Sequence, residues 1–149
     1  MAVTVSGLFY PTWRDALNGT IVLNLDLETH KVAMFTNTIT PSFSADTAYG
    51  VAPYNANEVS GTGYTAGGAL LTTTTLSESP TGTLMVDAAD TSWTTSTITN
   101  ARCALIYADA LAGNNAICLV NFGADYSTVA GTFTIQWAAG GVFTIDLTP

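Results

Sequence analysis

Ala101-Arg-Cys-Ala-Leu-Ile-Tyr-Ala108 and Asn115-Ala-Ile-Cys-Leu-Val-Asn-Phe122 are two nearly continuous apolar runs. They flank Asp109 to Asn114, whose Gly113-Asn114 suits a turn. A strand with one wet face alternates apolar and polar residues; these runs do not, so they predict strands at the centre of the core. Outward from them, period-two patterning and β-branched residues dominate after Gly19. Thr132–Ala138 and Val142–Leu147 alternate Phe133, Ile135 and Trp137 with Phe143, Ile145 and Leu147 around Gly140-Gly141, which predicts a C-terminal hairpin. Ile21–Leu27 and Lys31–Thr36, joined by the polar link Glu28-Thr29-His30, predict another. Ala69–Leu76, Thr83–Asp87 and Trp93–Ile98 read as further strands, with a turn cluster at Ser77–Gly82. Pro11–Gly19 predicts the one helix, with Thr12 as N-cap and Gly19 as stop. The expectation is a single all-β domain over residues 1–149: an antiparallel sandwich or barrel of about eight strands with one short N-terminal helix. Residues 37–57 have no period and predict a long loop or arm, the first place to look for partner contacts, whose stretch 41–56 is expected to be dispensable for folding.

Composition narrows the function. Three Lys or Arg (Arg14, Lys31, Arg102) face eleven Asp or Glu, for a formal charge of −8, and such a chain repels phosphate backbones and anionic membranes. No nucleic-acid partner is expected. No apolar run approaches the roughly 18 residues needed to span a bilayer, so no membrane partner is expected either. The N-terminal Met1–Gly7 lacks the basic region and apolar core of an export signal. Only 9% of residues are charged, while Thr fills 26 positions, so the surface must be built of short polar side chains. These freeze few rotamers when covered, as suits a subunit packed among neighbours. Cys103 and Cys118 sit inside apolar runs and predict buried free thiols.

Glu58-Val-Ser-Gly-Thr-Gly-Tyr-Thr-Ala-Gly-Gly-Ala-Leu-Leu71 is a glycine-rich entry into an apolar segment. Gly61, Gly63, Gly67 and Gly68 predict a junction shaped by positive φ or by a closely approaching backbone. The segment resembles the Glu-Val-Ser-Gly-Thr-Gly-Tyr-x-x-Gly-Gly core of a family of small structural proteins from the virion-morphogenesis regions of tailed bacteriophages. Asn18-Gly19, Asp26 to Phe35, Asp87-Ala88, Trp93, Asn121-Phe122-Gly123 and Gly131-Thr132-Phe133 extend the likeness over most of the chain. The resemblance implies a non-enzymatic virion protein without cofactor or metal. Its implied role is capsid decoration or cement, seated on the major capsid protein at the capsid surface as a homo-oligomer, by analogy a trimer, and assembled in the host cytoplasm. A tail, neck or fibre-associated protein and a carbohydrate-binding host-attachment module are the alternatives.

Residues with chemistry have plainer readings. Gly61-Thr-Gly63-Tyr-Thr-Ala66 fits a nucleotide fingerprint in letters, but a Thr-rich strand follows where a helix is required. The sole histidine, His30, reads as a solvated turn residue, and no serine sits on a nucleophile elbow. Asp87 and Asp90 read as turn aspartates rather than paired catalytic acids or Ca²⁺ ligands. Trp93 and Trp137 fall at core positions. Tyr49 and Tyr54 in the long loop, with Trp13 and Tyr64, are the candidate interface anchors, because aromatic rings give large contact area at low entropic cost.

Overall fold

The apolar runs 101–108 and 115–122 supply the inner halves of two very long strands. In a computed structural model describing residues 2–26 and 29–148, β6 runs Thr91–Tyr107 and β7 runs Ala116–Ile135, antiparallel across the 108–115 turn. The remaining elements are β1 (Gly7–Leu8), α1 (Tyr10–Leu17), β2 (His30–Phe35), β3 (Ala69–Leu71), β4 (Thr75–Glu78), β5 (Thr83–Asp87) and β8 (Phe143–Asp146). They form two antiparallel sheets, a five-stranded one in the order β1-β7-β6-β2-β3 and a three-stranded one in the order β4-β5-β8. The expected all-β architecture with one short N-terminal helix is present, sandwich-like, and neither sheet closes into a barrel.

β2, inner β6 and inner β7 are buried on both faces, which explains their unbroken apolar sequence. One face, with Val32, Met34, Ala104 and Ile106, packs towards the small sheet through Val86 and Phe143. The other, with Ala33, Phe35, Cys103 and Leu105, packs under the N-terminal segment and the long loop through Phe9, Ile39 and Tyr54. Each such ring or branched chain contributes about 1.5–3 kcal/mol on full burial. Both thiols are buried and free. Burial pushes Cys103 up to about 12 and Cys118 upward as well, so neither supplies a thiolate.

Several expectations on pairing are corrected. Trp93–Ile98 is not a separate strand but lies in the outer half of β6, and Thr132–Ala138 is the end of β7 as far as Ile135, with Gln136 to Ala138 beyond it. The C-terminal hairpin does not form: β8 pairs with β5, and only an isolated Ala138–Gly141 bridge marks the turn. Asp90 Oδ1 accepts from the Trp137 amide, and Trp137 Nε1 donates to the Ala89 carbonyl. These bonds hold the end of β7 at the 88–90 corner, while Val142 N donates to Val86 O and directs β8 to the small sheet. The N-terminal hairpin is absent too. Residues 21–26 are irregular and β2 pairs with β6 and β3 instead; Leu27 and Glu28, expected in strand and linker, lie outside the described residues. His30 begins β2, is buried, and bonds the Asn24 carbonyl through Nε2, so it is not a solvated turn residue. The expected strand 69–76 is divided between the two sheets at Thr73, whose φ is +54°. Helix α1 starts at Tyr10 after Phe9, which gives no side-chain cap, and Thr12 is buried inside it rather than capping it.

The 37–57 segment is a long loop but not a projecting arm. Ile39, Ala48 and Tyr54 lie in the interior, and the segment bridges back to the sheet at Ala48–Asn115. Stretch 41–56 therefore carries part of the core, and the expectation that it is dispensable for folding is withdrawn.

Candidate functional site

Glu58 is the centre of the glycine-rich junction. Its Oε1 accepts from Tyr64 Oη at 2.8 Å and from Gly67 N at 2.7 Å, and its Oε2 accepts from Tyr49 Oη at 2.8 Å. Tyr64 Oη in turn accepts from the Met34 amide, and Tyr107 Oη donates to the Gly67 carbonyl. The Tyr49 and Tyr107 rings stack at 4.5 Å and 11°. Burial, reinforced by the Glu58 hydrogen bond, pushes Tyr49 up to about 12, and burial raises Tyr64 and Tyr107 as well. All three hydroxyls stay protonated and donate. The node ties long loop, junction and central sheet together, and both carboxylate oxygens are engaged by structural donors.

The glycines are where this junction touches other backbones. A Cβ on Gly61 would collide with the Thr97 carbonyl, and one on Gly68 with the Val32 carbonyl. Both have positive φ, so a side chain would be strained as well as crowded. Gly63 lies against the Ser96 backbone, and Gly67 supplies both groups that the node uses. A turn and then β3 follow the segment, so the helix that a dinucleotide site requires is missing there.

The candidate anchors face inward. Tyr54 is 2% exposed, its ring edge-on to Phe9 and Phe35. Tyr49 and Tyr64 are half-buried in the Glu58 node. Trp13 is half-buried, donates Nε1 to the Ile117 carbonyl and packs edge-on against Phe143, joining α1 to both sheets. The structure uses these four rings as internal joints. Asp87 Oδ1 accepts from the adjacent Ala88 amide, a local bond, whereas Asp90 Oδ1 accepts from the distant Trp137 amide and clamps the end of β7 rather than its own turn, which corrects the turn reading for Asp90. Among the described residues no group of three or more His, Cys, Asp or Glu is placed to hold a metal ion.

Two outward features were not legible as sites. The first is apolar: Leu17 is 86% and Val22 76% exposed, with Tyr10 and Val5 more than half exposed nearby in sequence. Tyr10 and Leu17 are seven residues apart and so share the outer face of α1. The sequence signal was Leu17 at the end of a helix whose Pro11 and Thr12 face inward. The second is an open cleft of about 560 Å³ along outer β7, running from Phe122 and Tyr126 to Trp137 and Val142. Its signal was the aromatic pair in Asn121-Phe-Gly-Ala-Asp-Tyr126, too short a spacing to give a period.

All three cations are neutralised. Arg14 pairs with Asp15 at 2.7 Å, Lys31 with Asp109 at 3.1 Å and Arg102 with Asp125 at 2.7 Å. The unpaired remainder of the charge is acidic. No family model, curated protein or solved structure matches this chain.

Proposed function

We propose that the chain is a non-enzymatic structural protein of a tailed-phage particle, a decoration or cement subunit that binds the major capsid lattice as a homo-oligomer, by analogy a trimer. The observation that carries this reading is the outer face of α1, where Tyr10 and Leu17 are each more than half exposed, together with the equally exposed Val5 and Val22 in the flanking sequence. Large apolar side chains grouped on a surface mark contact with another macromolecule. Covering Leu17 and Val22 fully would contribute about 1.5–3 kcal/mol each, and an oligomer engaging several lattice sites at once multiplies a modest single contact. The short polar side chains around them add contact area at little entropic cost. The engagement of both Glu58 oxygens, of Asp87 and of Asp90 by backbone and tyrosine donors supports a role without catalysis.

The test is cosedimentation with capsid shells of the parent particle. Wild-type protein attaches at a copy number that scales with the lattice, and attachment is insensitive to added salt because the contact is apolar. The double variant Leu17→Asp, Val22→Asp keeps its melting temperature and loses attachment. Undiminished attachment of that variant would remove α1 from the contact, and a copy number independent of lattice size would move the protein to the tail or neck.

A further inference from the structure

We propose that the cleft beside outer β7 binds a neutral oligosaccharide, with the rings of Tyr126 and Trp137 as its apolar platform. At about 560 Å³ the cleft lies well inside the range of small-ligand sites. Its chemistry is mixed in a particular way. Phe122, Tyr126 and Trp137 supply aromatic surface above the buried Phe133, with Tyr126 51% exposed and standing edge-on to Phe122. Gln136, just past the end of β7, supplies an amide that makes no hydrogen bond to other described residues, and Tyr126 supplies a hydroxyl. On a chain of charge −8, the Tyr126 phenol is the one ionisable group in the lining. A sugar ring presents C–H faces that pack on aromatic faces and a girdle of hydroxyls that pair with amides and hydroxyls, without charge. An anionic ligand would meet an acidic chain with no cation in the cleft, and a cationic one would find no carboxylate there.

The backbone argues against the main competitor, a strand added to the free edge of β7. β1 pairs with that edge at Cys118 and Leu119, and its neighbours Phe9 and Ser6 bond it at Ile117 and Asn121. Beyond them, β6–β7 pairing slips at Gly123 and Ala130, both of positive φ, so the edge is broken by bulges where an added strand needs a straight ladder. The same bulges set the aim of the side chains between them, among which Tyr126 and Thr128 line the cleft. The inference is independent of the capsid reading, which rests on α1 and stands if this one falls.

The experiment is a nitrogen-15 NMR titration of the intact protein with cellotriose, maltotriose, chitotriose and galactotriose, and with trigalacturonate as acidic control. At least one neutral trisaccharide is expected to give saturable shifts at residues 122–138, with a Kd on the order of 1 mM. Tyr126→Ala and Gln136→Ala, both at exposed positions, keep the wild-type spectrum elsewhere and weaken binding, the former about tenfold. No saturable cleft shift with any neutral sugar at about 10 mM overturns the proposal. So do equal affinity in Tyr126→Ala, preference for trigalacturonate, or cleft shifts that follow protein concentration without sugar, which would mark a second copy as the occupant.

Discussion

Glu58 shows how one side chain can join a long loop to a glycine-rich turn. Its two oxygens take one donor from the long loop, Tyr49, and two from the glycine-rich turn, Tyr64 and the Gly67 amide, and the Gly67 carbonyl accepts in turn from Tyr107. Each bond to Glu58 is a charge-assisted bond to a half-buried carboxylate, stronger than a neutral one. Glu58→Ala strands two tyrosine hydroxyls and an amide at once. It is expected to lower stability by about 2–4 kcal/mol in urea unfolding, with Glu58→Gln intermediate because one acceptor oxygen remains. A loss below about 0.5 kcal/mol for the alanine variant would show the node to be incidental. The glycines of this segment were legible, since Gly61, Gly63 and Gly68 do lie against other backbones. Glu58 was not legible as their centre: its partners Tyr49, Tyr64 and Gly67 are near in sequence, but they lie in irregular chain with no period to show which side chains converge.

The element that organises the fold is the β6–β7 ribbon, and its bulges alternate between strands. From Trp93–Phe133 to Cys103–Asn121 the register slips four times, with positive φ at Thr95 and Asn100 on β6 and at Ala130 and Gly123 on β7. Each bulge adds bend and twist, carrying one ribbon from the doubly covered centre to the exposed end. Asn and Gly tolerate this conformation, whereas a β-branched residue in it is strained. Thr95 is exposed with φ +50°. Thr95→Gly is expected to raise stability by about 1 kcal/mol, read as a higher urea midpoint at unchanged slope. No change or a loss would mean that the left-handed conformation costs nothing there. Strand periodicity was legible because alternation is a local property. Partner choice was not: Phe143 and Ile145 alternate as a hairpin strand should, yet pairing them with β5 depends on the Asp90–Trp137 corner. A single bent strand also reads as two, since each bulge interrupts the period.

At the scale of the whole molecule, the long loop is internal structure, and Asp46 makes that visible in the pH dependence of stability. Asp46 is buried, accepts the Ser42 amide and lies beside the Tyr54 hydroxyl; burial raises its pKa above the ordinary 3.8. A carboxyl held above its unfolded value favours the native state most below that value, and the advantage is lost as pH rises through the folded pKa. Asp46→Asn, which keeps an acceptor for Ser42, is expected to match the wild type in acid and to gain on it progressively towards neutrality, by thermal unfolding across that window. A constant offset at all pH values would contradict burial as the cause. Composition made the charge-poor surface legible, but not the inward packing of the loop, because Tyr49 and Tyr54 look the same in sequence whether they face solvent or core. The scarcity of cations has one more consequence. Arg14 lies in α1, Lys31 in β2 and Arg102 in β6, each engaged with a carboxylate. A trypsin-like protease needs Lys or Arg in a segment that can extend into its cleft. This chain offers its three only within hydrogen-bonded elements, so tryptic digestion must wait for unfolding.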